Sequence, residues 1–286
     1  MTANVLSVRD GAAMAPRLTV RGGEPAADRL VVLIHGYQVS EERAHEAYGD
    51  FTAAVRRAAG ARHRQLGMVW ELLWPGSDPR GLVSRATYPV RVGYAMQSGA
   101  MLARQWLRHR PPRQKVCLVA HSLGCRVALE AVRTIHTIDA DEGGWDGATV
   151  EAVFLLAAAV PVPKCVPGSD WYSRPFGASG EHVFFSPNDR VLRRFFPVGQ
   201  NLAGELGEAV GLLGAPDDRW TTMKNTSLRH SGYWSSSLVA EGMCERLGLR
   251  AAGLGAAALP RAEPLDEPRL LQELTLVAQY LDVRGI

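Results

Sequence analysis

The stretch "KVCLVAHSLGCRVALEAV", Lys115 to Val132, passes from an unbroken apolar run to helical spacing within four residues. "KVCLVA" has the length and composition of a strand covered on both faces. From Leu123 to Ile138 a helix follows, with Val127, Ala128, Ala131, Val132 and Ile135 on its inner side. The same alternation recurs along the chain. "LVVLI" (Leu30 to Ile34) precedes a helix capped by Ser40, with Ala44, Ala47, Phe51, Ala54 and Val55 on one face. "GMVWELLW" (Gly67 to Trp74) is stopped by "PGSDPRG", and a helix carrying Val92, Met96, Met101, Leu102 and Trp106 comes next. "TVEAVFLLAAAV" (149–160), "EHVFFS" (181–186) and the less regular "WTTMKNTSL" (220–228) supply further strands. Strands alternating with helices predict an α/β fold, a mostly parallel central sheet with helices on both faces.

Composition limits what such a chain does. Its 286 residues are 47% hydrophobic and 21% charged, which predicts one main domain over 1–250 and a short extension over 251–286. The net charge of +3 comes from 32 basic and 29 acidic residues without a long basic run, and the densest cluster, "RHRPPRQK", holds two prolines and reads as a solvated turn. No nucleic-acid partner is expected. The N-terminus lacks the basic-then-apolar pattern of a signal peptide, and no segment reaches the ~18 apolar residues of a membrane span. Cys117, Cys125, Cys165 and Cys244 sit mostly in apolar surroundings and read as buried thiols of a reducing compartment, hence the cytoplasm. With no CxxC and no HExxH, no metal or other cofactor is expected. Oligomeric state stays open.

In parallel sheets, ligands sit outside the C-terminal ends of the strands, so the residues after each strand carry the chemistry. After "KVCLVA" comes Ser122, flanked two residues away by Ala120 and Gly124, the small neighbours that a sharp strand-to-helix turn requires. Ser122 fits a nucleophile on an elbow; its other reading is a helix cap. His121 reads as a packing or hydrogen-bonding residue, because its side chain points away from that of its neighbour. After "LVVLI" comes "HGY". Gly36 lets this loop pass close to the elbow, the N–H groups of Tyr37 and Leu123 are the expected oxyanion donors, and His35 braces the loop. Alternatively "HGY" is only a strand-ending turn. Asp189, three residues past "EHVFFS", is the candidate acid or else the cap of a helix beginning near Val191. His230, in a loop before a helix of Trp234 to Arg246, is the candidate base or else an ordinary surface histidine. The chain order Ser, Asp, His is that of the α/β-hydrolase fold.

Taken together, "LVVLIHGYQVSEE", "LLWPGSD", "VCLVAHSLGCRVALEAV", "VFLLAAAVP", "FFSPNDRVL" and "HSGYW" resemble the α/β-hydrolase superfamily over residues 30–246. More narrowly they are similar to a poorly characterised bacterial lipase- or esterase-like group with HGYN-like, AHSMGN-like and HSGYW-like motifs. Gln38, Leu123 and Cys125 depart from that pattern. The resemblance implies a serine hydrolase with Ser122, Asp189 and His230 as its triad and a small-molecule ester or acyl compound as substrate. A thioesterase or acyltransferase would use the same triad, and a scaffold could keep the fold without turnover.

Other segments carry weaker expectations. Tyr37, Trp74 and Trp171 are expected near the mouth of the site, or else as ordinary packing. Residues 161–180 and 199–216 are possible lids, the second with Leu202, Leu206, Val210 and Leu213 at helical spacing, which also suits a helix packed on the core. Asp266 and Pro268 open a predicted C-terminal helix striped with Leu270, Leu271, Leu274, Val277 and Leu281.

Overall fold

Continuous apolar runs make two-faced strands, and each face then needs a helical layer. The computed structural model describes residues 3–23, 27–77, 87–166, 168–169, 171, 180–215 and 220–249. It contains strands β1 (Asn4–Asp10), β2 (Ala13–Arg21), β3 (Arg29–Ile34), β4 (Met68–Leu73), β5 (Lys115–His121), β6 (Thr149–Leu156), β7 (Gly180–Phe185) and β8 (Trp220–Lys224). Its helices are α1 (Glu41–Ala59), α2 (Tyr88–Gln105), α3 (Gly124–Asp141), α4 (Arg190–Arg194), α5 (Phe196–Leu202), α6 (Val210–Leu213) and α7 (Ser237–Arg246). The eight strands form one sheet in the order β2-β1-β4-β3-β5-β6-β7-β8, parallel throughout except for β2. A mostly parallel sheet with helices on both faces is the architecture that the alternating pattern predicts.

Strand alternation divides the core. Leu30, Val32 and Ile34 of β3 pack with Val116, Leu118 and Ala120 of β5 under α2 and α3. Val31, Leu33, Cys117 and Val119 face the opposite layer, where α1 contributes Tyr48, Phe51 and Val55 and α7 contributes Val239, Ala240 and Met243. Ser40 caps α1 as expected, accepting from the Arg43 amide at 3.4 Å. From β3 the chain crosses to β4 on one side and then to β5 on the other. The sheet therefore changes direction between β3 and β5, the switch point beside which parallel sheets bind their ligands.

The structure corrects several sequence expectations. The hairpin β1–β2 has no counterpart in the strand reading, because its edge strand is mostly exposed and contains Pro16. The signal for it was the pair Asp10-Gly11, with Gly11 at φ +58° in a two-residue turn. In α2 the buried face is Arg91, Ala95, Ser98, Gly99, Leu102 and Ala103, while Val92, Met96 and Met101 are only half-buried. Small side chains point inward because α2 lies tightly on α3: a Cβ on Gly99 would stand 2.4 Å from the Val127 carbonyl oxygen. Trp234 precedes α7 instead of starting it, and Ser236 caps that helix.

Residues 199–216 do not form one helix. Gly204 (φ +72°) and Gly207 (φ +116°) interrupt the helical spacing; Leu206 is 78% exposed while Val210 is buried. Of the other lid candidate, the described part includes a single 3-10 turn at Val162–Lys164 and a bridge from Pro161 to Ala209. The predicted C-terminal helix lies outside the described residues. Among the described residues, no helix is long and apolar enough to cross a membrane.

Candidate active site

Among the described residues, three non-glycine residues have positive φ: Gln38 (+57°), Ser122 (+53°) and Ala157 (+45°). They follow β3, β5 and β6 respectively, so local backbone strain gathers past the C-terminal ends of three adjacent strands. Ser122 sits between β5 and α3 and does not cap α3, whose first turn has no side-chain cap. The turn is closed by its backbone, with Ser122 N–H donating to Leu156 O (2.9 Å) and Ser122 O accepting from the amides of Cys125 and Ala159 (both 3.1 Å).

Two glycines let neighbouring segments reach the elbow. A Cβ on Gly36 would stand 2.9 Å from the Ser122 Cβ, which puts the loop after β3 directly against the serine. A Cβ on Gly124 would stand 2.2 Å from the His35 carbonyl oxygen, a backbone atom that cannot swing away. Gly124→Ala is therefore expected to destabilise the protein by about 3 kcal/mol. Urea denaturation would measure the loss, and an unchanged midpoint would mean the elbow relaxes freely.

The sheet and its loops bring the three candidate residues into line. His230 Nε2 lies 2.9 Å from Ser122 Oγ, and His230 Nδ1 lies 2.8 Å from Asp189 Oδ2. All three are buried. Asp189 stands where both of its sequence readings place it: beside His230, and at the N-cap of α4, where its Oδ1 accepts from the Leu192 amide (3.0 Å). The carboxylate accepts only, so Nδ1 of His230 carries the proton and Nε2 is left to receive one from the serine. Burial opposes ionisation of Asp189, but the charge and hydrogen bond of His230 and the Leu192 amide outweigh it and hold the carboxyl below its ordinary range.

The loop after β3 is braced from several sides. The His35 amide donates to the Tyr48 hydroxyl (2.7 Å), His35 Nδ1 bonds the Gly36 carbonyl (2.9 Å), and His35 Nε2 accepts from the Trp74 amide (3.3 Å). Burial lowers the His35 pKa to about 4, so the ring is neutral near pH 7. Among the described residues, neither the Tyr37 nor the Leu123 N–H is engaged by a protein acceptor. Tyr37 is half-buried, and its hydroxyl is within 3.0 Å of Thr87 Oγ1.

Trp74 and Trp171 do not stand at the mouth as expected. Trp74 is fully buried: its indole stacks on His35 (5.5 Å between centroids) and donates to the His35 carbonyl (2.8 Å). It supports the loop from beneath. Trp171 is only 2% exposed; its indole donates to Glu130 and lies near the charges of Arg126 and Lys164.

Arg126 escaped the sequence reading. Fully buried on the first turn of α3, it donates to Ala159 O (3.2 Å) and Gln200 Oε1 (2.7 Å) and pairs with Glu205 (2.8 Å). The available signal was an arginine among small and apolar residues in the first turn of a helix, four residues past Ser122. Among the described residues, no group of three or more candidate metal ligands comes together.

A family model described as an alpha/beta hydrolase of unknown function (DUF900) matches residues 21–207. Among solved structures, the chain is similar to the thermophilic esterase Est2 of Thermogutta terrifontis, at 13% identity over 81% of this chain and 86% of that one, with a TM-score of 0.39. It is also similar to a cutinase of Trichoderma reesei (15% identity, 78% and 76% covered, TM-score 0.34). A third likeness is to BorB, a type II thioesterase of the borrelidin biosynthetic cluster (16% identity, 80% and 94% covered, TM-score 0.39). Likenesses at this level do not bear on substrate. No curated protein matches the chain.

Proposed function

Because the chain belongs to the DUF900 family of α/β-hydrolases, we propose that it is a serine hydrolase cleaving carboxylic esters through an acyl-enzyme on Ser122. The observation that carries this reading is the continuous line from Asp189 through His230 to Ser122, at 2.8 and 2.9 Å, in a buried setting. A helix-capping serine and a surface histidine would have no cause to meet in this way.

In this mechanism His230 Nε2 takes the Ser122 proton as Oγ attacks the ester carbonyl carbon, and the tetrahedral oxygen gains its negative charge beside the Tyr37 and Leu123 amides. Asp189 stabilises the imidazolium and keeps its Nδ1–H in place. The proton on Nε2 passes to the departing alkoxide, which leaves as the alcohol. Water, deprotonated by the same histidine, then releases the acid and restores Ser122. His35, Gly36 and Trp74 contribute by fixing the amide of Tyr37. The enzyme is proposed to work in a reducing, cytoplasmic compartment, which four buried and unpaired cysteines support.

A series of 4-nitrophenyl esters with acyl chains of two to eight carbons, alongside matching thioesters, tests the reading. The expected result is saturable nitrophenol release with a higher kcat/KM for esters than for the matching thioesters. Release from thioesters alone would contradict ester cleavage while leaving the acyl-enzyme intact.

A further inference from the structure

Resting on the serine-hydrolase reading, we infer that His121 is a positioning residue, which pins the His230 loop to the elbow by donating its Nε2–H to the His230 backbone carbonyl. The contact is 2.6 Å long and buried. A carbonyl only accepts, so the hydrogen must be on His121 Nε2. His230 is thereby held at both ends, its imidazole by Asp189 and Ser122 and its backbone by His121.

The other ring nitrogen points to the oxyanion side. Among the described residues His121 Nδ1 has no hydrogen-bond partner, and it lies 3.1 Å from where a Cβ on Gly36 would stand. The ring is thus wedged between the loop that would hold the oxyanion and the loop that holds the base. Three rings lie close to it: centroids are 5.0 Å from His230, 6.0 Å from Tyr233 and 5.9 Å from Trp234.

A second proton would find no acceptor at Nδ1, and the charged groups nearby mostly oppose it. Burial and the charge of His230, with a smaller contribution from His35, lower the His121 pKa to about 3, outweighing the bond to the His230 carbonyl and the pull of Asp189, which both raise it. His121 is therefore neutral near pH 7, while the proposed mechanism turns His230 into an imidazolium during each turnover. Neutrality matters, because a cation 5 Å from His230 would oppose the imidazolium that turnover requires.

Positioning of this kind has a kinetic signature. A displacement of about 1 Å in a catalytic group costs roughly 10²-fold in rate, and it appears in kcat more than in KM. His121→Phe keeps a ring but removes the donor, whereas the amide of His121→Gln can reach the same carbonyl. With 4-nitrophenyl butyrate, His121→Phe should lower kcat by at least about tenfold with KM within about twofold, and His121→Gln should stay within about threefold of wild type. A phenylalanine variant as fast as wild type would overturn the inference. So would an equal loss in both variants, since the donor would then not be what matters.

A second readout does not depend on turnover or on any variant folding. Nitrogen-15 NMR of wild-type protein labelled at histidine should show His121 neutral and protonated on Nε2 from pH 5 to 8. Protonation on Nδ1, or titration in that range, would overturn the assignment. Protein with the Nε2–H form but no reaction with an ester or a fluorophosphonate would instead count against the serine-hydrolase reading.

Discussion

Ser122→Ala is expected to lower kcat by about 10⁴-fold or more on any ester the wild-type protein cleaves, with the fold intact. His230→Ala should cost as much, and the double variant little more, because serine and histidine act on one proton. The alanine side chain fits: among the described residues Ser122 Oγ is engaged by His230 alone, and the left-handed backbone costs alanine and serine alike. Asp189 separates two roles in one residue. Asp189→Asn retains an oxygen for the Leu192 amide but presents N–H groups to His230 Nδ1, so activity should fall by about 10⁴-fold with little loss of stability. Asp189→Ala should lose the α4 cap as well, at about 1 kcal/mol. Steady-state kinetics with urea denaturation of each variant separate these effects, and a His230→Ala enzyme near wild-type rates would remove the mechanism.

Acid should unfold this protein at a pH where its carboxylates are still largely ionised. His35 and His121 have folded pKa values of about 4 and about 3, against about 6.5 in an unfolded chain. Above pH 6.5 neither state binds the extra protons. As pH falls below 6.5, the unfolded chain takes them up while the folded one does not, so stability drops by up to about 1.4 kcal/mol per histidine per pH unit. The combined loss by pH 4 is on the order of 5 kcal/mol, comparable to the whole stability of a marginal domain. Glu205 acts in the same direction below its unfolded pKa, because Arg126 and Lys164 outweigh its burial and hold it ionised down to about 2. Urea midpoints between pH 8 and 4 should therefore decline steeply below pH 6.5. His121→Gln, with one titrating group fewer, should decline at about half the slope. A flat wild-type profile to pH 4.5 would mean that these rings are hydrated and not buried.

Where a residue's environment is fixed by its neighbours in sequence, the structure was legible from the chain. "LVVLI" and "KVCLVA" show no alternation because both faces of β3 and β5 are covered, and that absence identifies a parallel sheet. Ser122 and Asp189 stand out as candidates because a strand delivers each to the same edge, and His230 because chain order leaves one histidine downstream. Contacts made across the fold left fainter traces. The inward face of α2 is built from small residues because α3 lies against it, so the larger Met96 and Met101 misdirected the hydrophobic pattern. Trp74 follows a strand end and read as a pocket wall, yet stacking on His35 turns it beneath the loop. Arg126 meets Glu205 and Gln200 across more than seventy residues, where no local spacing announces a pair. His121 falls between these cases: its place beside the serine was evident, but its bond to the His230 carbonyl depends on how the last loop returns.

An activated serine can be tested before any substrate is known. A fluorophosphonate probe incubated with the folded protein, followed by peptide mass mapping, asks whether Ser122 is nucleophilic and whether His230 makes it so. One adduct, on the peptide containing Ser122 and absent in His230→Ala, is the predicted result. Well-folded protein that remains unlabelled, or that carries its adduct on another residue, would contradict a serine nucleophile at the elbow.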